Sequence, residues 1–263
     1  MRMRPVALLK MRTMRMNRTP RTTKAGHLSL RGLAIASAVS MALALSLSAC
    51  ENVVSFTQPT LVRVIDASYA APAVSVVVES TVLAGNLGQG SITPYGTLPA
   101  TSDALINVTA VTGGAALVST SAPLLAGHQS SIFLADNITA PAGYTVTVLA
   151  DQQIAAAGGH SAFRFLNQAI KTGAVDIYLV PAGSTLAKTI PLVADLPVGG
   201  NSGYISFDSQ TVTMIVTPTG ITSPQYTSAP IALIGGEVRT VLIVDTQLTS
   251  NPPVTVFIAD DVD

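Results

Sequence analysis

The sequence predicts an all-β protein with two tandem Ig-like β-sandwich domains behind an export signal. Three observations predict it. Short segments rich in Val, Ile, Thr and Tyr recur at 74–78, 106–111, 132–135, 145–149, 176–180, 212–217, 238–244 and 254–259. Gly, Pro, Asn and Ser punctuate them about every ten residues, the spacing of a sandwich. Several alternate apolar with polar, as in Thr145-Val146-Thr147-Val148, which sends one face of a strand inward. The third observation is that the chain repeats itself. The best helical stretch, the Ala-rich 152–157, is too short to stand as a helix.

The first 49 residues read as a signal peptide. Nine of the 14 basic residues lie there, ahead of an uncharged apolar run over 32–47. That run is shorter than the roughly 20 residues a membrane-spanning helix needs, and small residues follow it. The leader is long, and Met14 and Met16 offer alternative starts. Leu47-Ser48-Ala49-Cys50 resembles the lipobox of bacterial lipoproteins, which implies cleavage between Ala49 and Cys50 and lipid on Cys50. Cys50 is the sole cysteine, so no internal disulfide can form. With two or three acyl chains the anchor would be stable, since each buried methylene contributes about 0.8 kcal/mol. Glu51 at the next position leans towards the outer membrane of the cell envelope.

Beyond Cys50, residues 50–59 read as a tether. Residues 60–150 form the first repeat, 151–160 an Ala/Gly-rich linker and 161–263 the second repeat. Leu61-Val62-Arg63-Val64-Ile65-Asp66 aligns with Ala162-Phe163-Arg164-Phe165-Leu166-Asn167, and Ala73-Val74-Ser75-Val76 with Ala174-Val175-Asp176-Ile177. Asn86-Leu87 and Tyr95 align with Asp195-Leu196 and Tyr204. Leu124-Leu125-Ala126-Gly127 aligns with Leu233-Ile234-Gly235-Gly236, and Asp136 with Asp245. The offset grows from 101 to 109 along the unit, and the order never changes.

All 14 acids follow Cys50, against five basic residues, so the mature part carries a net −9. That charge repels phosphate backbones and argues against nucleic acid as a partner. Two of the five cations, Arg63 and Arg164, hold the same repeat position inside apolar strands. One reading is a structural arginine bonded to strand-end carbonyls or an acid such as Asp66; the other is an anion site.

Little else suggests chemistry. His128 and His160 are the histidines left after processing, one in a turn and one in the linker, and either would need a Ser and an acid beside it to act as a base. Gly200-Asn201-Ser202-Gly203 lacks the spacing of a nucleophile elbow, and Thr185-Leu186-Ala187-Lys188 only echoes Ser-x-x-Lys. Gly85, Gly88 and Gly90 read as a turn without the Lys of a phosphate loop. Asp260, Asp261 and Asp263 read as a solvated tail rather than a calcium loop. Tyr69, Tyr144 and Tyr226, near predicted loops, are the aromatics that could stack on a sugar; there is no Trp. No metal or other cofactor is implied.

Val62-Arg63-Val64-Ile65-Asp66-Ala67-Ser68-Tyr69-Ala70-Ala71-Pro72-Ala73-Val74-Ser75-Val76 resembles the V-R-V-x-H-A-S-P-D-A-P-x-V-D-V opening of the bacterial domain of unknown function 4397 family. The resemblance extends over most of 60–250, and the second copy keeps Arg164, Ala174, Val175 and Asp176. The family histidine is Asp66 here and Asn167 in the second copy, and its inner Asp is Ser75 in the first, so a site built on that histidine would be absent. The resemblance implies secreted, often lipid-anchored β-domains and carries no activity. The sequence thus points to a non-catalytic envelope protein with a structural or adhesive role, its partners a membrane through Cys50 and an envelope protein or glycan. The alternative is a module that binds a glycan or small ligand.

Overall fold

Residues 57–247 and 253–262 are described by a computed structural model of the chain, which is all-β. The predicted leader, its cleavage site and Cys50 lie outside the described residues. The first repeat contains β1 (Thr60–Asp66), β2 (Val74–Val78), β3 (Thr81–Leu87), β4 (Gly96–Leu98), β5 (Thr101–Ala110), β6 (Ala116–Leu124), β7 (Gln129–Asp136) and β8 (Tyr144–Ala150). The second contains β9 (His160–Gln168), β10 (Val175–Pro181), β11 (Val193–Leu196), β12 (Asn201–Asp208), β13 (Thr211–Pro218), β14 (Tyr226–Thr227), β15 (Ile231–Ala232), β16 (Val238–Asp245) and β17 (Val254–Asp260).

Each repeat forms two sheets. In the first the orders are β4-β1-β7-β8 and β3-β2-β5-β6; in the second, β12-β9-β16-β17 and β11-β10-β13-β14, with β15 also on β13. The parallel pairs are β1 with β7 and β9 with β16, which set Arg63 opposite Ser131 and Arg164 opposite Thr240. Alternation supplies the cores. Val62, Val64, Val74, Val76, Ile106, Val108, Ile132 and Leu134 fill the first sandwich; Phe163, Phe165, Val175, Ile177, Met214, Val216, Val241 and Ile243 fill the second.

β1 and β9 are buried on both faces, so a third core lies between the repeats. Ile65, Ala67 and Phe133 from the β1/β7 sheet meet Leu166, Leu242, Val244 and Ala259 from the β9/β16 sheet. Both sandwiches belong to the single unit Phe56–Asp263. The 152–157 stretch runs as irregular loop without helix, and the ends of the predicted linker are structured: Asp151 is buried and His160 opens β9.

Local geometry repeats as well. Asn86 (φ 59°) and Asp195 (φ 51°) hold equivalent left-handed positions, where a short polar side chain is tolerated. The change in offset is an insertion between β10 and β11. Its short 3-10 turn, Leu186–Lys188, lays Leu186 over Tyr178, Val180 and Ile215 on the outer face of that sheet.

Gly90 (φ 77°) and Gly199 (φ 76°) are another equivalent pair. A Cβ on Gly90 would lie 2.1 Å from the Phe257 ring, whereas one on Gly199 would meet nothing within 4 Å. Gly199→Ala should therefore cost about 1 kcal/mol for its backbone conformation alone. Gly90→Ala should cost a further ~1–3 kcal/mol of overpacking, visible as the larger drop in thermal midpoint.

Candidate functional site

The arginine positions converge between the repeats. Arg63 is 2% exposed and Arg164 1%. Each sits on the face of its sheet that meets the other sandwich, because positions 62 and 64, or 163 and 165, face the opposite way into their own cores. Arg63 Nε donates to Ser131 Oγ at 2.7 Å and Nη1 to the Asp260 carbonyl at 2.6 Å, while Nη2 pairs with the Asp261 carboxylate. Arg164 repeats the pattern: Nε donates to Thr240 Oγ1 at 2.7 Å, Nη1 to the Ala150 carbonyl at 3.0 Å, and Nη2 pairs with Asp151.

Each guanidinium therefore binds the end of the other repeat. The carboxylates are tied back in turn. Asp151 Oδ2 accepts from Ser131 Oγ and from the Tyr95 hydroxyl, both at 2.7 Å. Asp261 Oδ2 accepts from Thr240 Oγ1 and the Tyr204 hydroxyl, both at 2.7 Å. Tyr95 and Tyr204 also cover the cations, with Arg63 4.8 Å from one ring centre and Arg164 5.0 Å from the other. Exchanging the repeats maps each of these bonds onto its counterpart.

The electrostatics fit a closed network. Burial works against the Arg63 charge, yet Asp261, Tyr95 and Asp151 outweigh it and hold the pKa above the ordinary arginine value. Burial, reinforced by Asp151, pushes the Tyr95 phenol far up. Burial does the same for Tyr204, where Asp261 adds to the rise and Arg164 opposes it. Both phenols are thus hydrogen-bond donors at any physiological pH. An opening of about 280 Å³ beside Arg63 is lined by Thr93, Tyr95, Ile258 and Asp260, but the Nε, Nη1 and Nη2 of Arg63 each already donate to protein.

Two sequence expectations are corrected here. The acid that meets Arg63 is Asp261, not Asp66, because residues three apart on a strand point to opposite faces. Asp261 is fully buried and paired, so it is not part of a solvated tail. Asp260 closes β17, half of its exposed carboxylate engaged by Arg239 Nε at 2.9 Å; Asp263 lies outside the described residues.

Asp66 has its own buried niche. Its Oδ1 accepts from the Ser68 amide at 3.0 Å, but Oδ2 has no partner among the described residues. Burial is the main reason its pKa rises to about 7; Asp136 adds to the rise, and the Ser68 amide opposes it. The equivalent Asn167 is fully engaged. Its Oδ1 accepts from the Ala169 amide, and Nδ2 donates to the carbonyls of Gly173 and Leu196 at 2.8 and 2.9 Å.

The other candidates stay apart. His128 is exposed in the turn before β7, and His160 Nδ1 lies 3.0 Å from the exposed Asp208. Among the described residues no hydrogen bond joins either imidazole to a serine, and no group of three or more His, Cys, Asp or Glu could hold a metal. Tyr69 and Tyr144 share one end of the first sandwich. Lys171 Nζ sits 3.7 Å over the Tyr69 ring, and the Tyr144 hydroxyl donates to the Ala70 carbonyl. Tyr226 lies in β14 of the second sandwich, away from them.

Residues 60–178 match the family model "Domain of unknown function (DUF4397)". The match takes in the first repeat, both arginines and Asp151, and ends inside β10, short of the 60–250 that the sequence pattern suggested. No curated protein matches the chain. Among solved structures, it is similar to a family 26 carbohydrate-binding module from Eubacterium rectale, crystallised with maltoheptaose. Identity is 10% over 76% of this chain and 96% of that one, with a TM-score of 0.21. A likeness at that level carries nothing over to this chain.

Proposed function

We propose, starting from the resemblance of residues 60–178 to the DUF4397 family, that this is a non-catalytic envelope protein. On this reading lipid on Cys50 anchors it to the outer membrane and it acts in structure or adhesion. The observation that carries the reading is the reciprocal arginine clamp. It ties two sandwiches into a single body with its buried charges paired, as a module that carries tension or presents a surface requires. Four of the five cations after Cys50 are engaged within the chain: Arg63 and Arg164 in the clamp, Arg239 on Glu237 and Asp260, and Lys171 over Tyr69. Few cations are left over to bind or activate a substrate.

Labelling cells with radioactive palmitate tests the anchor. The wild-type protein should take up label and sediment with membranes. Cys50→Ala should take up none and appear in the soluble fraction. An unlabelled wild-type protein would refute the anchor. If the role is adhesive or structural, deleting the gene should weaken surface attachment or envelope integrity, and Cys50→Ala should reproduce the deletion.

A further inference from the structure

At one place in the contact between the repeats their near-symmetry fails, and the failure leaves a cleft. On one side of the inter-repeat contact, Phe257 projects from β17 opposite Leu242 and presses against Gly90 of the other repeat. Beside it, Gln89 Nε2 donates to the Asp245 carbonyl at 3.0 Å. On the other side Phe133 takes the place of Leu242, Gly199 that of Gly90 and Val198 that of Gln89. The residue opposite Phe133 on β8 is Thr147. A threonine cannot reach Gly199 as the phenylalanine reaches Gly90. The space stays open as a cleft of about 370 Å³ between the repeats, inside the range of about 300–1,000 Å³ usual for ligand pockets.

We infer that this cleft binds a neutral, hydroxyl-rich ligand, such as a sugar unit of a glycan, between the two repeats. Phe133, Ile170 and Val198 give it apolar wall, and Thr145, Thr147 and Gln168 give it neutral polar groups. Those two hydroxyls and that amide make no hydrogen bond to other described residues, so they face the cleft with their capacity free. The one ionisable group in the lining is Asp136. Its oxygens already accept from Ser68 Oγ and from the Tyr69 and Ala70 amides. With no cation in the lining, an anionic ligand finds no counter-charge. Apolar faces beside uncharged donors and acceptors suit a ring that carries hydroxyls at its rim and C–H groups on its faces. The inference is independent of the lipid anchor, and it assigns this role to the cleft rather than to Tyr69, Tyr144 or Tyr226.

The second repeat supplies the control, because Thr147→Phe copies the plug that Phe257 forms. The test uses the full chain, purified from whole-cell lysate in detergent whether or not it sediments with membranes, with cello-, chito- and xylohexaose as neutral probes and a sulfated hexasaccharide as the anionic one. Binding is read by saturation-transfer NMR on the sugar. The wild type should transfer saturation to at least one neutral probe. Thr147→Phe should weaken that binding roughly tenfold or more while raising the thermal midpoint. If Thr147→Phe does not fold, Gln168→Ala should weaken binding with its circular dichroism unchanged. No transfer to any neutral probe, transfer to the sulfated probe alone, or binding undiminished by a folded variant would each overturn the inference.

Discussion

Replacing Arg63 with methionine should lower the unfolding free energy by about 3–5 kcal/mol, because it strands Asp261 as an unpaired buried charge. Arg164→Met should do the same to Asp151. The two losses should not add. Ser131 accepts from Arg63 and donates to Asp151, so each arginine is coupled to the carboxylate that the other binds. Restoring charge balance with Arg63→Met/Asp261→Asn should recover most of the single loss, since a buried pair contributes little net stability over neutral replacements. Arg63→Lys should not rescue, because an ammonium cannot reach three acceptors set in the plane of a guanidinium. Urea unfolding of these four variants, and of Arg63→Met/Arg164→Met for the non-additivity, checks all of this. A loss below about 1 kcal/mol for Arg63→Met would mean that the clamp is not structural.

Asp66→Asn should stabilise the protein, and increasingly so as pH rises. The folded protein holds a proton on Asp66 up to about pH 7, whereas the unfolded chain releases it near the ordinary value of 3.8. Between those values the folded state binds more protons than the unfolded, so the stability this group contributes is complete below pH 3.8 and declines as pH rises through 7. About three pKa units at 1.36 kcal/mol each put the decline near 4 kcal/mol. Asparagine has no proton to lose. In the second repeat the equivalent position already holds an amide, Asn167, whose Nδ2 donates to two carbonyls. Wild type and Asp66→Asn should thus have similar midpoints near pH 4 and diverge between pH 4 and about 7. Parallel curves across that window would show that Asp66 ionises in place without penalty.

Much of the architecture was readable from local pattern. The eight predicted strand segments all fall in observed strands, with Val111 one residue past β5. Beyond the short β4, β11, β14 and β15, the pattern misses β3, β6 and β12, because Thr81–Leu87, Ala116–Leu124 and Asn201–Asp208 are partly exposed strands with few large apolar residues at alternate positions. The clamp was half legible. Arg63 and Arg164 stood out as rare cations at one repeat position, and Tyr95 and Tyr204 as another matched pair. Asp151 and Asp261 are a further match, 110 residues apart, and extending the repeat by one step would have found them. Local pattern places them in linker and tail, because both follow the last strand of a repeat.

The sequence by itself determined the β-sandwich class, the duplication and the residues that recur in it. Those follow from alternation, turn residues and spacing, which are local properties of the chain. Only the tertiary structure decided that the repeats share a buried face, that each arginine binds the far end of the other repeat, and that Phe257 fills one cleft while Thr147 leaves its counterpart open. The physical reason is that these outcomes depend on which surfaces lose water against each other, and periodicity along a strand says which side is apolar without saying what covers it.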